Sequence, residues 1–210
     1  MADTRSLVGA LLAYDHEHAD RAIETTLALR SVERSVEEVL LPGLEQIAGD
    51  MGADSAAWAF SALWATDWLR RARRLAPPPV GQTSIVLVNA SWDELDLDAM
   101  YIRALKLFCL RAGIKVQILS VRALTGIGDI ASVHRPDVIV LAGKQIDEAT
   151  LARWTYAIER SIGPRPLALY RHARLGAYGT VLPLAPGDAQ LRLLELAHAT
   201  VTSTSRRLAS

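Results

Sequence analysis

Apolar residues recur every three or four positions up to Leu75 and gather into short unbroken runs after Ser84. The first rhythm belongs to helices with one buried face, the second to strands covered on both faces. Leu7, Leu11 and Leu12 set a helix that ends near Asp15. Ala22, Ile23 and Leu27 share one side of a second helix, from His18 to Leu29. Ser35-Val36-Glu37-Glu38 reads as a capping box that opens a third, with Val39, Leu40, Leu44 and Ile47 in the core. Pro42 interrupts that pattern, and its missing N–H predicts a kink or an early turn. Gly49 and Gly52 end the helix, and Asp54-Ser55 caps a fourth that runs to about Leu75. Short connections between successive helices predict an antiparallel four-helix bundle over residues 1–76.

Ala76-Pro77-Pro78-Pro79-Val80-Gly81 breaks the pattern, because three prolines favour an extended linker, here residues 77–83. Beyond it, runs at Ser84–Asn89, Lys115–Leu119, Asp137–Ala142 and Pro166–Tyr170 read as strands, with a short fifth at Thr180–Leu184. Helices fall between them: Leu97 to Ala112, closed by Gly113; a short one near Ile127–His134; Asp147 to Ile162; and Asp188 to about Thr202. The alternation predicts an α/β domain over residues 84–210, a flavodoxin-like, doubly wound parallel five-stranded sheet.

Composition narrows the picture. Half of the 210 residues are hydrophobic, enough for a substantial core. Lys+Arg and Asp+Glu both total 23, which argues against a nucleic-acid surface spread over the whole chain but leaves room for a local patch. The single cysteine, Cys109, has no internal disulfide partner and sits in an apolar helix pattern. No signal peptide and no apolar run of about 18 residues are present, so the expected home is a reducing cytoplasm and no membrane is involved. There is no P-loop, no Gly-x-Ser-x-Gly and no Gly-x-Gly-x-x-Gly, so no catalytic constellation is expected. The five histidines lack metal spacing, and the acidic loop Asp93, Glu94, Asp96, Asp98 is expected to be a solvated helix N-terminus, with no metal site.

Several phrases resemble the cobalamin-binding domain family, a helical bundle followed by a flavodoxin-like domain, as found in methionine synthases and in light-sensing regulators of the MerR type. They are Leu7 to Asp15, Val36-Glu37-Glu38-Val39-Leu40-Leu41-Pro42-Gly43-Leu44-Glu45-Gln46-Ile47, Leu107 to Val116, and Arg135-Pro136-Asp137-Val138-Ile139-Val140-Leu141. The resemblance, bundle and sheet domain together, covers almost the whole chain. The resemblance implies a corrin held under the bundle, with its tail running into the sheet domain past an Asp-x-His-x-x-Gly loop. Here that loop reads Asp96-Leu97-Asp98-Ala99-Met100-Tyr101, with Asp98 at the cobalt-ligand position and Tyr101 at the glycine. A carboxylate is a harder donor than imidazole, and a tyrosine ring occupies space the tail needs. Ala142 stands where the family has Ser, Tyr170-Arg171 where it has Gly-Gly, and no His matches the cap over the corrin near Ala57–Phe60.

The resemblance with these replacements implies a non-enzymatic regulatory or sensor domain, akin to the effector-binding half of such transcription regulators. It would bind no cobalamin and would act through a protein partner and as a homo-oligomer, with DNA reached only through a module or partner outside these residues. The alternative is a sensor for haem or another flat molecule, or for residual cobalamin, in a cleft between the domains. The candidate residues for such a cleft are Trp58, Phe60, Trp64, Trp68, Trp92, Asp98, Tyr101, Ala142, Tyr170, Arg171 and His172. Trp64 and Trp68 share a helix face, and bundle core is the competing account of the aromatic set. The arginines Arg70, Arg71, Arg73 and Arg74 are expected to complement the C-terminus of the fourth helix.

Overall fold

The computed structural model describes residues 2–81, 83–89, 94–120, 135–143, 147–163, 165–171 and 178–208. The chain divides into two compact units: a helical unit, Met1–Leu75 with Asp93–Ala104, and a sheet unit, Ala76–Trp92 with Leu105–Ser210.

The helical unit begins with α1 (Ala2–Leu12) and α2 (His16–Leu27). It continues with α3 (Val32–Ser35), a π-turn (Val36–Leu40) and α4 (Leu41–Met51), then α5 (Ala56–Arg74). Leu7, Leu11, Ile23, Leu40, Leu44 and Ile47 are its fully buried aliphatic core. Asp15 caps α2, accepting from the His18 amide at 2.9 Å, and Ser55 caps α5, accepting from the Trp58 amide at 3.0 Å.

The capping-box expectation is corrected. Ser31 is the N-cap, accepting from the Arg34 amide at 3.2 Å. Ser35 lies one turn inside, fully buried, and its hydroxyl donates to the Ser31 carbonyl. A Ser-x-x-Glu pattern signals a cap only at the first turn, and here one more turn, Val32–Ser35, precedes it.

Pro42 explains the π-turn. It cannot donate to the Glu38 carbonyl, and its ring crowds the preceding turn. The helix widens instead: the Leu41 amide donates to Val36, five residues back. Thr4 Oγ1 of α1 donates to the Glu38 carbonyl at 3.2 Å, satisfying the acceptor that the proline leaves open.

The sheet unit holds β1 (Ser84–Asn89), β2 (Lys115–Ser120), β3 (Val138–Ala142), β4 (Leu167–Tyr170) and β5 (Thr180–Val181). All pairs are parallel and the order is β2-β1-β3-β4-β5, as the flavodoxin-like expectation requires. The fifth strand is shorter than expected. Gly179 opens it because a Cβ there would lie 2.7 Å from the Leu167 carbonyl oxygen.

Helix α6 (Leu97–Arg111) has its first residues in the helical unit and its last in the sheet unit. It ends at Gly113 (φ 77°), with the Ile114 amide donating to the Cys109 carbonyl at 3.0 Å. Helix α7 (Glu148–Ile162) is capped by Asp147, whose carboxylate takes both the amide and the hydroxyl of Thr150. Leu151, Trp154 and Ile158 of α7 pack on Val86, Val88, Ile139, Leu141 and Leu169, the alternate positions that share one sheet face. Helix α8 (Pro186–Leu208) closes the unit. The short helix expected near Ile127–His134 lies outside the described residues. Among the described residues no helix is long and apolar enough to cross a membrane.

Candidate functional site

The candidate residues fall into two groups, one in each unit. In the helical unit, α5 carries Trp58, Phe60, Trp64 and Trp68. Trp58, Trp64 and Trp68 are all buried, none more than 7 % exposed. Trp64 Nε1 donates to Asp20 Oδ1 of α2 at 3.1 Å, and Arg71 donates to the same oxygen at 3.0 Å. Asp67 then binds Arg70 at 2.6 Å and Arg71 at 3.3 Å. Two of the four arginines therefore knit α5 to itself and to α2. Phe60 is half-buried and makes inclined, edge-type ring contacts with Tyr14 and His16, at centroid distances of 5.2 and 4.6 Å. Tyr14 holds a left-handed backbone (φ 57°) at the end of α1.

Asp98 and Tyr101 lie in the first turns of α6, also within the helical unit. The Tyr101 hydroxyl donates to Glu45 Oε1 of α4 at 2.7 Å, a charge-assisted bond that fixes the ring of a residue 8 % exposed. Asp98 is buried at 7 % exposure. Asp96 caps the helix, accepting from the Ala99 amide at 2.6 Å, and Glu94 accepts from Arg103 through its carbonyl. The acidic loop thus serves the helix N-terminus where it is described. Among the described residues no three His, Cys, Asp or Glu side chains gather as a metal site would require.

In the sheet unit, Asn89, Ala142 and Tyr170 stand side by side in register at the carboxyl ends of β1, β3 and β4. Their exposures are 6, 0 and 0 %. The Tyr170 hydroxyl donates to the Leu184 carbonyl at 2.9 Å, so its phenol is bonded as well as enclosed. The small Ala142 beside it leaves room for the ring. Arg171 follows in a left-handed conformation (φ 68°) at 9 % exposure. Trp92 and His172 lie outside the described residues.

The electrostatics are modest. Burial alone pushes the Cys109 thiol up to about 12, so it stays protonated and unreactive. Asp15 and Asp147 are held below the ordinary carboxylate range, first by the backbone amides of His18 and Thr150 that they cap. Tyr178 is raised, first by its hydrogen bond to Glu148.

The hydrophobic pattern of the sequence gives no hint of two partners, Glu45 for Tyr101 and Asp20 for Trp64. They are separated by 56 and 44 residues, and each lies on the polar side of its own helix. Opposite charge on Asp20 and Arg71 was the only available signal.

No family model matches this sequence, and no curated protein matches it. Similar solved structures include two of cobalamin proteins. One is described as a novel cobalamin-binding protein from Desulfitobacterium hafniense, 12 % identical, over 93 % of this chain and 99 % of that one, with a TM-score of 0.46. The other is the methanol:cobalamin methyltransferase complex from Methanosarcina barkeri, 10 % identical, over 94 % of this chain and 80 % of that one, with a TM-score of 0.47.

Proposed function

We propose that this chain is a non-enzymatic regulatory or sensor module, built on a corrinoid-type scaffold whose ligand position its own side chains have filled, and acting through protein–protein contacts. The observation that carries this is Tyr170. In the pattern the sequence resembles, a Gly-Gly pair follows the fourth strand and leaves space for a ligand tail. Here a phenol ring takes that place, fully buried and hydrogen-bonded to the Leu184 carbonyl.

Three further positions support the same reading. Asp98 offers a hard carboxylate where cobalt would take imidazole. Tyr101 commits its hydroxyl to Glu45, where glycine would leave room. Ala142 offers no hydroxyl to a tail. These residues do not fit cobalamin. Trp64 is tied to Asp20, which favours bundle packing over a ligand face.

The test is spectroscopic. The protein is mixed with cobalamin, and separately with haem, then desalted and scanned in the visible range. The proposal expects neither chromophore to be retained. Retained cobalamin would overturn it, and retained haem would move the function to a ligand sensor.

A further inference from the structure

The sheet unit carries 14 Lys and Arg against 7 Asp and Glu, a net charge of +7. Part of that charge is laid out along α7. Leu151, Trp154 and Ile158 turn one side of the helix to the sheet. Arg153, Tyr156 and Arg160 are exposed and lie within about 60° of one another on the opposite side. Tyr156 is 61 % exposed. The Arg160 guanidinium lies over its ring, 5.9 Å from the centroid, and donates to its hydroxyl at 3.3 Å. A cation in the last turn of a helix complements the dipole, which accounts for Arg160 but not for Arg153 or Tyr156. Core packing does not account for the tyrosine either, because the other side of α7 supplies the core.

The stripe continues onto the sheet. Parallel strands all begin on one edge, and a helix that returns the chain ends there too. Helix α7 stops at Gly163, and Arg165 stands just before β4. Arg135 precedes β3, and Lys115 opens β2. In the order β2-β1-β3-β4 these three cations span three strand spacings, about 14 Å. Arg153 to Arg160 adds about 10.5 Å of helix. All five cations are exposed, and none forms a salt bridge among the described residues. Arg153 is braced by its own helix, donating to the Ala149 carbonyl at 3.2 Å and the Thr150 hydroxyl at 3.0 Å. The neighbouring acids are engaged. Asp137 accepts from the Ser84 amide at 2.9 Å, Asp147 caps α7, and Glu148 accepts from the Tyr178 hydroxyl. Glu159 is exposed on α7, one helical step of about 100° from Arg160.

We propose that this stripe binds single-stranded nucleic acid. Its phosphates lie along Arg153, Arg160, Arg165, Arg135 and Lys115, and one unpaired base stacks on Tyr156 beside the Arg160 guanidinium. Cations alone suit any polyanion. The exposed ring selects one that also offers flat, unpaired bases. A duplex keeps its bases stacked inside and leaves the ring unused. An anionic lipid surface has phosphates but no flat partner for the ring. The strand-start edge is opposite the one that holds Asn89, Ala142 and Tyr170, so the inference goes beyond the proposed function and does not rest on it. Retained cobalamin would overturn that reading and leave this one standing.

The test titrates the full chain into fluorescein-labelled oligothymidylate and oligouridylate of about 12 nucleotides, read by fluorescence anisotropy over a series of NaCl concentrations. Five phosphate contacts predict a slope of log affinity against log salt of about −3.5, at about 0.7 for each contact to a single strand. Arg135→Ala with Arg165→Ala should flatten that slope to about −2.1. Tyr156→Ala should weaken binding at least about fivefold and leave the slope unchanged, while Tyr156→Phe should bind like the parent. All of these side chains are exposed, so the circular dichroism spectrum should not change. No binding at low salt by about 100 μM protein overturns the proposal. So does a Tyr156→Ala variant as tight as the parent, or a slope indifferent to the two arginines. A duplex of the same length bound as tightly as the single strand overturns it too. Phosphatidylserine vesicles that bind as tightly at matched charge would give the stripe to a membrane surface and overturn it as well.

Discussion

Replacing Tyr170 with alanine should be among the most destabilising single changes in the sheet unit. The side chain is fully buried, so its whole transfer term is lost. Its neighbour in register on β3 is Ala142, fixed by strand pairing and unable to collapse into the space. Large aromatic-to-alanine changes in such sites cost about 3–5 kcal/mol, and the rigid surroundings favour the upper half of that range. With a urea slope of about 2 kcal/mol/M, the midpoint should fall by about 2 M. Tyr170→Phe keeps the ring and loses only the bond to the Leu184 carbonyl, at about 1 kcal/mol, or about 0.5 M. The assay is urea unfolding followed by circular dichroism, with tryptophan fluorescence as a second probe. A Tyr170→Ala midpoint within about 0.5 M of the parent would refute the argument, because a ring that can be removed so cheaply does not fill the site.

Other expectations follow from the same geometry. Ser31→Ala should cost about 1 kcal/mol in urea unfolding as a lost N-cap, whereas Ser35→Ala should stay within about 0.5 kcal/mol; equal effects would contradict the reassigned cap. Cys109, with its thiol pushed up to about 12 by burial, should resist a thiol reagent in the folded protein and react promptly in urea. Its raised folded value also fixes a sign: the stability it contributes is fully present below the ordinary thiol value of 9.0 and is lost as pH rises toward about 12, so Cys109→Ala should flatten the alkaline limb of the stability profile. Gly179→Ala sets a Cβ against the Leu167 carbonyl and should cost about 1–3 kcal/mol, read as a lower melting temperature.

The sequence makes the architecture legible because its two hydrophobic periods are clean. The unbroken apolar runs of β1 and β3 have one reading, a strand covered on both faces. Gly113, Asp147 and Ser55 mark helix ends by chemistry that acts within a few residues. Ser35 misleads because the cap signal is local and the extra turn at Val32–Ser35 is only four residues long. Pro42 is visible as a disturbance, but its resolution is not: the π-turn depends on Thr4, on another helix, reaching the Glu38 carbonyl. The candidate site follows the same rule. Substituted positions such as Asp98, Tyr101 and Tyr170 can be picked out along the chain. Their partners Glu45 and Leu184 depend on packing across elements, which periodicity does not encode.

The central claim is that the ligand position is occupied by the protein itself. Equilibrium dialysis of the full chain against excess cobalamin tests it most directly, with bound corrinoid read from its visible absorption. The account predicts no corrinoid retained above the buffer level. One corrinoid bound per chain would contradict it.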